Sequence, residues 1–254
     1  RGGSICEPSA IDLIFAVAYS VPNTQFYVSC MEVVTIMDAK DPLDLKAQEI
    51  IRETRAKISS LDDNSKDMMF REARSFNGWT DKPVSEGQLR DIYDLMKLCP
   101  TSSNACPIRI KFVCSEDAKK VLEPILFEPN RAKTMQAPAV AILGNDDAFY
   151  EHDAFLAPHR PGAMSKRMTE NQDLIPDWAM RNGTLQAAYF ILAVRAVGLD
   201  AGPMQGLNKK AADEAYWAGT RVKTNFICSV GQGDETTVFK KLPRFDFEEV
   251  CEIL

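Results

Sequence analysis

The sequence predicts an α/β or α+β sandwich, and three observations carry that expectation. Short apolar runs suited to strands, Ile108 to Cys114, Pro138 to Leu143 and Asn225 to Val230, alternate with helical patterns. A long apolar helix then runs into the turn Gly202-Pro203-Met204-Gln205-Gly206; its apolar residues recur at three- and four-residue steps through Leu185, Ala188, Tyr189, Leu192, Ala193, Ala196 and Leu199. The chain shows no internal repeat and no low-complexity tract.

Taken in order, residues 1 to 40 hold two apolar stretches, Ile11 to Tyr19 and Phe26 to Met37, without clean periodicity. From Asp41 to Leu61 the pattern is amphipathic: Asp41 and Pro42 suit an N-cap and first helical position, with Leu43, Ala47, Ile50, Ile51, Ile58 and Leu61 apolar among charges. The polar run Asp62 to Asp67 reads as a break, so residues 1–65 are expected to form an extension and residues 66–254 the main domain. Ser85-Glu86-Gly87-Gln88 has the form of a capping box. It starts a helix to about Leu98, with Leu89, Ile92, Tyr93 and Met96 on the buried face and Pro100 as its stop. Ser115 to Ile125 reads as a helix ended near Pro124. Residues 145–177, rich in Pro, His, Arg and Met, read as an irregular excursion with at most one short helix, and such excursions usually serve as lids or contacts. The apolar helix ends at Gly198, where glycine adopts a left-handed conformation at little cost. Lys209 to Ala218 is a short amphipathic helix and Asp246 to Leu254 a capped terminal one.

Composition narrows the function classes. At 254 residues and 45% hydrophobic, the chain buries one large core or two small ones. A net charge of -6 and an isoelectric point near 5.1 argue against a general nucleic-acid binder or an anionic-membrane protein, both of which need a basic surface. No apolar run reaches the roughly 18 residues that span a bilayer. The seven cysteines include no C-x-x-C pair, which favours a reduced, cytoplasmic protein over a disulfide framework. His152 and His159 are the two histidines, and their spacing does not suit zinc; no metal is expected. No nucleophile elbow or Walker loop occurs. Gly231-Gln232-Gly233 follows a strand, but Thr236 stands at the third glycine position of a dinucleotide fingerprint, so it reads as a turn leaving the sheet.

Four stretches carry candidate chemistry. Arg74-Ser75-Phe76-Asn77-Gly78-Trp79 combines a guanidinium, a hydroxyl and an amide suited to a phosphate and its sugar, and equally fits a solvated turn with one buried Trp. Pro100-Thr101-Ser102-Ser103-Asn104-Ala105-Cys106-Pro107 offers short polar side chains to the edge of a heterocycle, or makes an ordinary turn. Lys240-Lys241-Leu242-Pro243-Arg244 is a second cationic cluster. In the turn from Gly202 to Gly206, sparse side chains leave peptide N–H groups free to face a flat ligand.

In their order, these motifs, with Arg181-Asn182 and Leu185-Gln186-Ala187, resemble the FMN-dependent nitroreductase family, and within it the branch containing the malonic semialdehyde reductase of pyrimidine utilisation. The resemblance covers about Phe70 to Leu254. It implies an α+β fold with a central, mostly antiparallel sheet flanked by helices, and a homodimer with FMN at the interface. Arg74 and Ser75 would hold the FMN phosphate end with Asn77, Lys241 and Arg244. Pro100, Ser102 and Asn104 would line the isoalloxazine, and Pro203, Met204, Gln205 and Gly206 would present the N–H groups of Gln205 and Gly206 near N5 and O4. The implied activity passes hydride from NAD(P)H through FMN to a small carbonyl such as malonic semialdehyde, without a catalytic His or Cys. A broad nitro or quinone reductase, or a flavin-binding protein without turnover, are the alternatives. Cys106-Pro107-Ile108 replaces the family's Gln-Pro-Trp, and Leu207-Asn208 replaces the branch's Phe-Asp.

Overall fold

The computed structural model describes residues 42–254, which fall into two compact units divided between Leu61 and Asp62. The apolar stretches Ile11 to Tyr19 and Phe26 to Met37, and the Asp41 cap, lie outside the described residues. In the first unit, α1 (Pro42–Lys57) carries Leu43, Leu45, Ile50 and Ile51 exposed.

The second unit starts in the run expected to be a break. Asp62 caps α2 (Asp63–Lys66), its carboxylate accepting from Ser65 N–H at 2.8 Å, and a π turn over Asp67–Arg71 follows. The expected capping box opens α3 (Glu86–Met96): Ser85 Oγ accepts from Gln88 N–H at 3.2 Å, and Gln88 Oε1 accepts from Ser85 N–H at 3.0 Å. This helix buries Ile92 and Met96, but Tyr93 is 50% exposed. Adjacent residues lie about 100° apart on a helix, so Ile92 facing the sheet turns Tyr93 outward.

The sheet comprises β1 (Ile108–Val113), β2 (Ala139–Asp146), β3 (Asp200–Met204) and β4 (Val222–Gly231), in the order β1-β2-β4-β3 with every pairing antiparallel. Along β2 every residue is buried, as is all of β4 except Lys223, because helices cover both faces. Alternate β2 residues serve the two cores. Ala139, Ala141 and Leu143 join Ile92, Met96, Phe190 and Val194 on one face. Val140 and Ile142 join Trp79, Leu122, Ala212, Trp217 and Ile227 on the other. Helices α4 (Glu116–Leu122) and α9 (Lys209–Tyr216) contribute to that second face, and α5 (Glu128–Gln136) follows α4 in the chain.

Three sequence expectations are corrected. β3 is a strand where the turn from Gly202 to Gly206 is expected, and Pro203 is tolerated because β3 is the edge strand of the sheet. The excursion is mostly helical: β2 extends to Asp146, then α6 (Asp153–Leu156), α7 (Ala163–Glu170) and short 3-10 turns pack Phe149, Met164 and Met168 into a satellite core. The terminal helix shrinks to α10 (Phe247–Val250), opened by an Asp246/Glu249 capping box.

The long helix α8 (Ile175–Ala196) has 22 residues and buries Asn182, Gly183, Gln186, Ala187, Phe190, Ala193 and Val194. Leu185 and Tyr189, two of the recurring apolar residues of this helix, are 49% and 40% exposed. The helix thus has two apolar stripes. The three- and four-residue recurrence picked out mainly the one this chain leaves uncovered.

Burial makes one thiol distinctive. Cys228 lies inside the sheet and burial pushes its pKa up to about 12, so it stays a neutral, enclosed thiol at pH 8. Cys114 and Cys251 are exposed. Iodoacetamide at pH 8 followed by peptide mapping should label those two in the folded protein and Cys228 only after unfolding; equal labelling rates would contradict this placement.

Candidate functional site

Segment 74–79 is laid against the outer edge of β3. Ser75 pairs in parallel with Ala201, and Phe76 N–H donates to Ala201 O at 3.2 Å. Trp79, 4% exposed, anchors the far end, its Nε1 donating to Lys133 O at 3.0 Å. The approach needs a glycine at position 202, where a Cβ would stand 2.8 Å from Phe76 O and 3.0 Å from the Trp79 ring. Gly202→Ala is therefore expected to push the segment outward and cost about 1–3 kcal/mol, read by denaturant unfolding. An unchanged midpoint would mean the segment is not seated there.

The predicted phosphate-end residues are only partly gathered. Arg74 Nη2 donates to the Phe239 carbonyl, which ties the C-terminal segment to it. Lys241 Nζ lies 2.7 Å from Glu72 Oε2, and that hydrogen bond and charge, with smaller help from Arg74 and Arg71, hold the Glu72 carboxyl below its ordinary range. Asn77 Oδ1 accepts from Lys133 Nζ at 3.1 Å. Arg244 is not brought to this group, because its guanidinium donates to the Leu242 and Pro243 carbonyls at 3.2 and 2.9 Å.

The loop from Pro100 to Pro107 is strained. Ser103, Asn104 and Cys106 have φ of 57°, 52° and 42°, though none is glycine. Such conformations cost of order 1–3 kcal/mol each and persist only when the surroundings over-determine them. Here Thr101 Oγ1 accepts from Cys106 N–H at 3.2 Å, Asn104 Nδ2 donates to Leu156 O at 2.8 Å, and Ala105 is buried. The Leu156 contact makes the end of α6 a neighbour of the loop. Pro100, Ser102 and Asn104 are themselves exposed.

The turn after β3 is anchored through the Gly206 carbonyl. Gly206 O accepts from Phe127 N–H at 3.0 Å and from Asn130 Nδ2 at 3.1 Å, and Leu207 is buried behind it. Among the described residues, neither Gln205 nor Gly206 N–H has an acceptor. A Cβ on Gly206 would stand 1.8 Å from Asn130 Nδ2. Pro203 and Met204 are half-buried, and Met204 Sδ accepts from Thr134 Oγ1 at 3.6 Å. Gln205 lies four residue steps beyond Ala201, which is opposite Ser75, or about 13 Å along an extended strand.

Asn130 and Lys133 are the residues that sequence reasoning missed. They lie on α5, whose Glu-Pro-Asn-Arg-Ala-Lys-Thr-Met-Gln sequence has no apolar stripe; Pro129 in its first turn was the available signal. A separate cleft of about 510 Å³, lined by Arg109, Lys111, Trp217 and Arg221 among others, contains none of the predicted site residues. Among the described residues, no group of His, Cys, Asp and Glu is placed to hold a metal, and no helix is long and apolar enough to cross a membrane.

Unsatisfied backbone donors suit the electron-rich edge of a planar heterocycle, and the cations beside segment 74–79 suit a phosphate, all on an α+β frame. A sequence model of the nitroreductase family matches residues 71–231, and the chain belongs to that family. It is 48% identical over 188 residues to a Cupriavidus pinatubonensis protein named as an NADH dehydrogenase/NAD(P)H nitroreductase, covering 74% of this chain and 96% of that one. A Burkholderia lata protein of the same name is 45% identical over 196 residues, covering 77% and 100%. Among solved structures, a nitroreductase in complex with FMN from Exiguobacterium sibiricum superposes with a TM-score of 0.65 at 20% identity, covering 77% of this chain and 98% of that one.

Proposed function

We propose that this protein is an FMN-dependent NAD(P)H oxidoreductase that acts as a homodimer on small carbonyl acceptors such as malonic semialdehyde. The observation that carries the reading is the pair of unpaired N–H groups at Gln205 and Gly206, held in place by Asn130 and Phe127 through the Gly206 carbonyl. FMN, when bound, supplies the two-electron chemistry between nicotinamide nucleotide and acceptor. Arg74, Ser75 and Lys241 would neutralise and hydrogen-bond its phosphate, with Asn77 beside them, and Arg244 would join by turning away from its own carbonyls. Pro100, Ser102 and Asn104 would meet the ring. The Gln205 and Gly206 N–H groups would stabilise negative charge developing at the N5/O4 edge, as donors in an oxyanion hole do, and so no acid or base side chain is required.

The uncovered α8 stripe, Leu185, Ala188 and Tyr189, supports the dimer, since a contiguous apolar strip on a helix marks a contact surface. Free cysteines support a reducing compartment such as the cytoplasm. The names of the relatives favour a second reading in which nitro compounds or quinones are the acceptors. Comparing kcat/KM across malonic semialdehyde, a nitroaromatic and a quinone separates the two. For the shared core of both readings, protein incubated with FMN and desalted should stay yellow; colourless protein would end it.

A further inference from the structure

The Arg181-Asn182 and Leu185-Gln186-Ala187 stretches of α8 include two buried amides with no role in the function proposed above. Asn182 and Gln186 are one helical turn apart, share a face, and are 1% and 2% exposed. Asn182 Oδ1 accepts from Ser102 N–H at 2.7 Å, and Gln186 Oε1 accepts from Ile108 N–H at 3.0 Å. These bonds fall at the two ends of the segment that contains the left-handed residues Ser103, Asn104 and Cys106. Asn182 Nδ2 donates to Trp178 O at 2.9 Å, which leaves the amide oxygen for the loop. Beyond Gly198, the same helix leads into β3 and the Gln205-Gly206 turn.

We propose that Asn182 and Gln186 are positioning residues: bonding Ser102 and Ile108, they hold the strained segment in the shape that meets FMN. One helix thereby fixes both pieces of backbone around the cofactor. The inference rests on the FMN reading for its purpose, and on the two amide bonds for its substance. A strained loop whose N–H groups lose these acceptors has no reason to keep its conformation.

The test compares Asn182→Leu and Gln186→Met, which remove the acceptor at similar volume, with Asn182→Asp and Gln186→Glu, which keep an acceptor oxygen. Hydrogen exchange is followed in the FMN-free protein, and the FMN dissociation constant is measured separately. The apolar variants should speed exchange at the Ser102 and Ile108 amides and weaken FMN binding, each at least ~10-fold, while β2 amides keep their protection; each acid variant, although it buries a carboxyl and Asn182→Asp also forfeits the bond to Trp178 O, should lose clearly less than the apolar variant at its position. Unchanged exchange and affinity in the apolar variants, equal losses in the acid variants, or faster exchange throughout the sheet would overturn the proposal. A parent protein that takes up no FMN would defeat the functional reading, and the exchange arm would still decide whether the amides shape the loop.

Discussion

Phe190→Ala is expected to lower the free energy of unfolding by about 3–5 kcal/mol, because the ring is fully enclosed and its removal leaves a cavity that packed neighbours only partly fill. The side chain stands in the core between α8 and the sheet with Met96, Leu143 and Val194, its centroid 6.2 Å from that of Phe112. For a unit of this size the loss corresponds to roughly 10 °C in Tm. Thermal and urea unfolding measure it directly, and a change below about 1 kcal/mol would contradict the packing of α8. This helix leads through β3 into the turn that carries Gln205 and Gly206.

Arg74→Ala is expected to raise the FMN dissociation constant about 10- to 100-fold, the range that follows from losing one or two charge-assisted hydrogen bonds to a phosphate. The FMN-free protein should keep its Tm within about 2 °C, because the bond lost on folding is a single one from a partly exposed side chain to the Phe239 carbonyl. Titration of flavin fluorescence reads the first quantity and calorimetry the second. Unchanged affinity would move the phosphate site elsewhere; unfolding would make Arg74 a structural residue.

The elements legible in sequence were those whose local signals agree with their surroundings. Ser85 and Gln88 announced α3 through a capping box that forms as written. The apolar runs of β1, β2 and β4 marked sheet strands, though β2 and β4 both extend into polar residues that pairing carries along: Asn145 and Asp146 in β2, Lys223 and Thr224 in β4. What stayed hidden depended on partners distant in sequence. Asp200-Ala201-Gly202-Pro203-Met204 has little β propensity and becomes a strand because β4 pairs with it. α5 has no apolar stripe and is held through Trp79 Nε1 on Lys133 O, with Asn130 on Gly206 O.

The candidate site divides the same way. Glycines at 202 and 206 were read as room for a flat ligand, whereas the space a Cβ would fill is taken by Phe76 and Asn130 of the protein itself. The positive φ of Ser103, Asn104 and Cys106 had no glycine to signal it, and arises from contacts with α6 and α8. The resemblance implied a phosphate role for Arg244, yet its described contacts are local to its own segment.

The central claim is that the Gln205-Gly206 backbone faces a flavin that turns over. Anaerobic stopped-flow mixing of the FMN-loaded protein with NADH, and separately with NADPH, tests it most directly. The account predicts rapid bleaching of the flavin band by at least one nucleotide, and recovery of colour when an acceptor is added. A flavin that stays yellow with both nucleotides would contradict it and leave a binding protein without turnover.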